Sequence, residues 1–182
     1  MIQWLAKTIY HLIGWKVVGR YPREIKKKVL VVAPHTSSWD VPVGLLVKVW
    51  LKMDDVTFYA KKELFTGLQG RFLRFMGAAP VDRGKNNNLV GQVLSDFKNK
   101  DHHTILITPE GTRRKVAKFK TGFYYMANKA DVPIIPIIFD FEEKAIKFLE
   151  PYYTSGDLEK EVKEIEDIFR GVPGKVREYS FT

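Results

Sequence analysis

From residue 28 onward, short runs rich in Val and Ile alternate with segments of helical length, and this alternation limits the fold more than any other feature. The strand-like runs are 28–33, 56–60, 78–82, 103–108, 133–140 and 144–149. The helical segments are 38–52, 63–76, 86–99, 118–130 and 157–170. Runs such as Val29-Leu30-Val31-Val32 are apolar at successive positions, as in a strand buried on both faces. Strands separated by helices predict an α/β fold: a single domain with a mostly parallel central sheet and helices on both faces. Ser37 or Ser38, Asn86 and Gly156-Asp157 read as helix starts. In Val132-Pro133-Ile134-Ile135-Pro136 the prolines cannot donate to a ladder, so this run belongs at an edge, a bulge or the start of a strand.

Residues 2–19 have helical periodicity, with Ile2, Leu5, Ile9, Leu12 and Ile13 on one stripe and Trp4, Tyr10 and Trp15 flanking it. The tract 20–28 then adds five Lys or Arg side chains. Aromatic rings and cations beside an apolar stripe suit the headgroup boundary of an anionic bilayer, so residues 1–20 are expected to form an amphipathic membrane-surface helix ahead of a domain at 21–182. The same helix could also pack on the domain. No apolar run reaches the ~18–20 residues of a spanning helix. Lys7, His11 and Lys16 interrupt the apolar core that a signal peptide would need, and no small-residue cleavage site follows. The expected location is peripheral, at the cytoplasmic face of a membrane.

The 182 residues carry a net charge of +9 and no cysteine. The absence of cysteine excludes disulfides, thiolate zinc sites and a cysteine nucleophile. Residues 1–30 hold seven basic side chains against Glu24, whereas 140–170 hold five basic against ten acidic. The positive charge therefore lies in the first three quarters and calls for an anionic partner. Nucleic acid is disfavoured, because the aromatics lie mostly in apolar strands and helices rather than among the bases. A serine hydrolase is disfavoured because Ser37 and Ser38 lack a Gly-x-Ser-x-Gly turn.

Three strand exits carry the chemistry. After 28–33 comes Pro34-His35-Thr36-Ser37-Ser38-Trp39-Asp40, where a turn could bring the carboxylate to one imidazole nitrogen and leave the other as a general base. On spacing alone, a helix-start histidine with Asp40 as an ordinary first-turn acid is the commoner reading. After 103–108 comes Glu110-Gly111-Thr112-Arg113, where an open backbone at Gly111 and a forked guanidinium suit an anion, with Arg114, Lys115, Lys118 and Lys120 adding positive field. Val81-Asp82-Arg83 follows the third.

In order and spacing these elements resemble the glycerol-3-phosphate and 1-acyl-sn-glycerol-3-phosphate (lysophospholipid) acyltransferases. That family has a His-x4-Asp motif (His35, Asp40), an Asp-Arg-like element (Asp82, Arg83), Glu-Gly-Thr-Arg followed by Phe-Lys-x-Gly (Phe119, Lys120, Gly122), and a Val-Pro-Ile strand. Pro34 stands where the family often has Asn. The resemblance implies a fatty acyl transfer from an acyl-CoA or acyl-carrier-protein thioester to a lysophospholipid hydroxyl in phospholipid biosynthesis, without metal or cofactor. It implies His35 and Asp40 as catalytic residues and Arg83, Glu110, Gly111, Thr112, Arg113 and Lys120 as acceptor-binding. It places Val132, Pro133 and Ile134 on the acyl-donor side. The implied partners are the thioester donor, the lysolipid acceptor and an anionic membrane surface.

Overall fold

The computed structural model describes residues 1–81 and 89–182. In chain order the elements are α1 (Ile2–Leu12), β1 (Lys16–Val18), β2 (Lys27–Ala33), α2 (Asp40–Trp50), β3 (Val56–Lys61), α3 (Gly67–Phe75) and β4 (Ala78–Val81). They continue with α4 (Leu89–Asn99), β5 (His103–Ile107), α5 (Gly122–Ala130), β6 (Ile134–Asp140), β7 (Ala145–Phe148) and α6 (Leu158–Phe169). The strands form one sheet in the order β1-β7-β6-β2-β5-β3-β4. Strands β2 to β6 run parallel, and β7 returns antiparallel to β6 with β1 parallel beside it.

The pleat of β2 explains why its sequence is apolar at every position from Val29 to Ala33. Leu30 and Val32 point to one face, where Tyr10 of α1 and Val43 and Val47 of α2 cover them. Val29, Val31 and Ala33 point to the other, under Val93 and Phe97 of α4, Phe123 and Met126 of α5, and Ile165 and Phe169 of α6. Each such buried side chain contributes about 1.5–3 kcal/mol. The predicted α/β architecture, mostly parallel with helices on both faces, is therefore the one observed.

Three local expectations are corrected, and a fourth, for the proline run, is met. The N-terminal helix stops at Leu12, the chain turns at Gly14, and Lys16–Val18 becomes an edge strand beside β7. The 63–76 helix is broken: a 3-10 turn spans Lys62–Leu64, and Gly67, at φ +54, starts α3 separately. Neither serine caps α2, whose first turn instead has the Asp40 carboxylate accepting from Ser37 N at 3.1 Å. The proline run takes two of its expected places inside the sheet, with Pro133 just before the start of β6 and Pro136 facing a bulge. Ile137 pairs with Phe148 but Ile134 with Tyr152, so the returning segment carries one extra residue, a bulge, opposite Pro136. Ile134 N donates to Tyr152 O and Leu149 N to Pro136 O, so the missing Pro136 donor faces that bulge. Asp157 does cap α6, accepting from Lys160 N; the predicted Asn86 cap lies outside the described residues.

The apolar stripe of α1 faces outward. The helix packs on α2 through buried Ala6 and Tyr10, while Ile2, Trp4, Leu5 and Leu12 are exposed.

Candidate active site

Strands β2 and β5 are hydrogen-bonded neighbours, but the helices that follow them lie on opposite faces of the sheet, α2 on one and α5 on the other. Chains that diverge in this way open a crevice over the carboxyl ends of the strands. The β2 exit delivers His35 and Asp40 to that crevice, and the β5 exit delivers residues 108–114.

His35 Nδ1 lies 2.7 Å from Asp40 Oδ2, a carboxylate 8% exposed. Arg113 Nε donates to the other ring nitrogen, Nε2, at 3.3 Å. An N–H directed at Nε2 makes that nitrogen the acceptor and leaves the imidazole proton on Nδ1, facing Asp40. Arg113 Nη1 also donates to Ser38 Oγ at 3.1 Å. The two exits are joined a second time through the backbone, because both oxygens of Glu110 accept from His35 N, at 2.9 and 3.1 Å. Glu110 is buried, and desolvation raises its carboxyl pKa to about 7, opposed by the His35 hydrogen bond and assisted by the nearby Asp40 charge.

Gly111 has φ +65, a conformation that favours glycine. A Cβ there would stand 2.6 Å from Lys120 Nζ, so the ammonium lies directly over the Gly111 backbone. Lys120 N in turn donates to Pro109 O at 2.9 Å, which brings the ammonium back over the turn. Thr112 Oγ1 accepts from Arg114 N and shapes the same loop.

His35, Asp40, Gly111, Thr112, Arg113 and Lys120 supply polar lining to a cavity of about 1170 Å³. The rest of its wall is mainly apolar, from Val56, Phe58, Leu73, Met76, Ile105 and their neighbours. Lys48 lies in this wall and donates to the Met53 and Val56 carbonyls; burial pushes its ammonium pKa down. No group of three or more His, Asp or Glu side chains converges as a metal site among the described residues.

Seven of the predicted site residues thus meet in one place: His35, Asp40, Glu110, Gly111, Thr112, Arg113 and Lys120. Arg83 lies outside the described residues. Val132, Pro133 and Ile134 are not brought to the crevice. Ile134 pairs with Val29, six residues before His35 along the strand, roughly 20 Å away at strand rise. Val132 and Ile134 are buried under the helices of the opposite face. Sequence reasoning missed Ser38 as the anchor of Arg113, the Glu110 grip on the His35 backbone, and Lys48. Only Lys48 left a readable signal, because it falls two helical turns after Asp40 on α2.

A parallel sheet with a histidine–aspartate pair and a guanidinium gathered over two adjacent strand ends is the frame of an α/β enzyme. The Acyltransferase family model matches residues 14–140, and the chain belongs to that family. It is 25% identical to the human 1-acyl-sn-glycerol-3-phosphate acyltransferase beta, over 90% of this chain and 60% of that protein. Identity is 33% to the probable 1-acyl-sn-glycerol-3-phosphate acyltransferase of Mycoplasma pneumoniae, over 73% of this chain and 52% of the relative. It is 30% to the 1-acyl-sn-glycerol-3-phosphate acyltransferase of Escherichia coli, over 69% and 53%. The chain spans between half and two thirds of the length of these relatives.

Proposed function

We propose that this chain transfers a fatty acyl group from a thioester, acyl-CoA or acyl-carrier protein, to the hydroxyl of 1-acylglycerol-3-phosphate. His35 Nε2 removes the hydroxyl proton as the oxygen attacks the thioester carbonyl, and Asp40 stabilises the imidazolium through Nδ1. The tetrahedral intermediate collapses with loss of the thiolate, which takes up the proton. Arg113, with Lys120 beside it, binds the acceptor phosphate by charge-assisted hydrogen bonds. Glu110 holds the His35 backbone, and Gly111 keeps the loop open to the acceptor. Thr112 shapes that loop, and the apolar cavity takes acyl chain.

The observation that carries this reading is the 3.3 Å contact between Arg113 and the basic nitrogen of His35. A phosphate on that guanidinium leaves a hydroxyl only a few bonds away within reach of the base. That proximity favours a glycerol phosphate over acceptors whose hydroxyl and anion are far apart. The relatives' names point to the same acceptor.

The enzyme would work at a membrane surface. No described helix is long and apolar enough to cross a membrane. The exposed Ile2, Trp4, Leu5 and Leu12 stripe of α1 supports peripheral attachment instead. The deciding experiment presents labelled acyl thioesters with a panel of lysolipids and alcohols. Transfer to lysophosphatidate above the others supports the proposal, and thioester hydrolysis with no transfer to any acceptor overturns it.

A further inference from the structure

Helix α3 carries a second exposed apolar face. Leu68, Phe72 and Phe75 follow the i, i+4, i+7 spacing of one helical stripe and are 83%, 54% and 75% exposed. Four exposed cations, Lys61, Lys62, Arg71 and Arg74, lie in the segment 61–75 that carries this face, where Glu63 is the one acid. A nine-residue helix containing two glycines has little intrinsic stability. Among the described residues, Gly70 is the one α3 residue that is fully buried, and the helix packs on β4. Its inner side contributes Leu73 to the wall of the active-site cavity, so the exposed stripe lies on the outside of the helix that forms one wall of that cavity.

We propose that the Leu68–Phe72–Phe75 face of α3 docks into the surface of an anionic bilayer, as a contact separate from α1. Apolar rings with exposed Lys and Arg in the same segment match the acyl boundary and the anionic headgroups together. A second copy of the chain is a poor occupant, because a symmetric contact would set the four cations of one protomer against those of the other. The proposal rests on reading the cavity as a lipid site. A wall docked on the membrane would let lysolipid and acyl chain pass into the cavity without crossing water.

The chain has no cysteine, so a single introduced thiol reports one position. Phe72→Cys, labelled with an environment-sensitive fluorophore, is mixed with vesicles of phosphatidylcholine and phosphatidylglycerol. Glu159→Cys on exposed α6 serves as the reference. Docking predicts a blue shift and quenching by spin-labelled acyl chains at position 72 and neither at 159. The unlabelled pair Phe72→Ser with Phe75→Ser should weaken vesicle affinity by about tenfold or more, while transfer to a soluble short-chain acceptor is unchanged. An unshifted fluorophore at position 72 with the protein bound to vesicles overturns the proposal. So does light scattering that shows a dimer abolished by Phe72→Ser, or protection of the label by an acidic carrier protein rather than by vesicles. Insertion at position 72 without acyl transfer to any lysolipid leaves the docking face standing and removes the acyltransferase reading alone.

Discussion

Both carboxylate oxygens of Glu110 accept the backbone N–H of His35, joining the loops that leave two neighbouring parallel strands. The histidine is therefore fixed at its backbone by one loop and at its ring by another pair of contacts, Asp40 on Nδ1 and Arg113 on Nε2. Proton uptake at Nε2 ends its acceptance from Arg113, and the Asp40 and Glu110 contacts are the ones that hold the imidazolium in place.

His35→Ala should lower acyl transfer by 10²-fold or more, the usual contribution of a positioned general base. Asp40→Asn should also lower turnover, because an amide can hold the ring without stabilising the imidazolium. The turnover number in a thioester-release assay checks both. Near-normal turnover in His35→Ala would remove the base from the mechanism.

Arg113→Lys should raise KM for a phosphorylated acceptor far more than for an uncharged alcohol. Lysine keeps the charge but not the fork that spans Ser38 and the base. Equal effects on both acceptors would show that Arg113 serves the base and not the phosphate.

Glu110 imposes a pH dependence on stability. Its folded pKa of about 7 lies above the ordinary 4.5. Between those values the unfolded chain has released the proton that the folded chain retains, so rising pH costs stability across that window. Above about pH 7 both states are ionised and the loss is complete, at most about 3 kcal/mol. Glu110→Gln can still accept from His35 N and has no proton to lose. Its melting temperature should therefore fall less than the parent's between pH 4.5 and 7. Parallel melting curves for the two proteins would contradict the burial of this carboxyl.

Two substitutions separate the roles of α1. Tyr10→Ala removes a fully buried ring and should destabilise the fold by about 3–4 kcal/mol in urea denaturation. Leu12→Ser, at a position 80% exposed, should leave the denaturation midpoint in place and lower binding to anionic vesicles. A large stability loss in Leu12→Ser would mean that the stripe is covered within the fold.

The sheet was legible because β2, β5 and β6 hold unbroken apolar runs, at 29–33, 105–107 and 134–139, a pattern that requires cover on both faces. His35, Asp40 and the Glu110–Arg113 run were legible as types and spacings. Their mutual contacts were not, because they depend on β2 and β5 lying side by side, some 75 residues apart in the chain. Periodicity also identified the apolar stripe of α1 but could not show which way it faces. Small Ala6 and amphipathic Tyr10 make the inward contacts, and the larger aliphatic side chains remain outside. In α3 the stripe was hidden inside a longer predicted helix until Gly67 divided it. The proline run was legible as a bulge or strand start, but which strand would absorb the missing donor was not: one extra residue in the returning segment does so, and the strand keeps an interior place.

The divergence of α2 and α5 from adjacent strands has a metric consequence. Base and guanidinium are carried by loops that leave two strands about 4.8 Å apart, a spacing set by the sheet's own hydrogen bonds. On the proposed reading the crevice works as a caliper whose jaws are two strands. Its gauge is kept by the β2–β5 ladder together with the loop contacts of Glu110 and Ser38, so substitutions elsewhere in the cavity wall could exchange the acyl chain or the headgroup decoration. The number of bonds between the reacting hydroxyl and the anion would stay fixed.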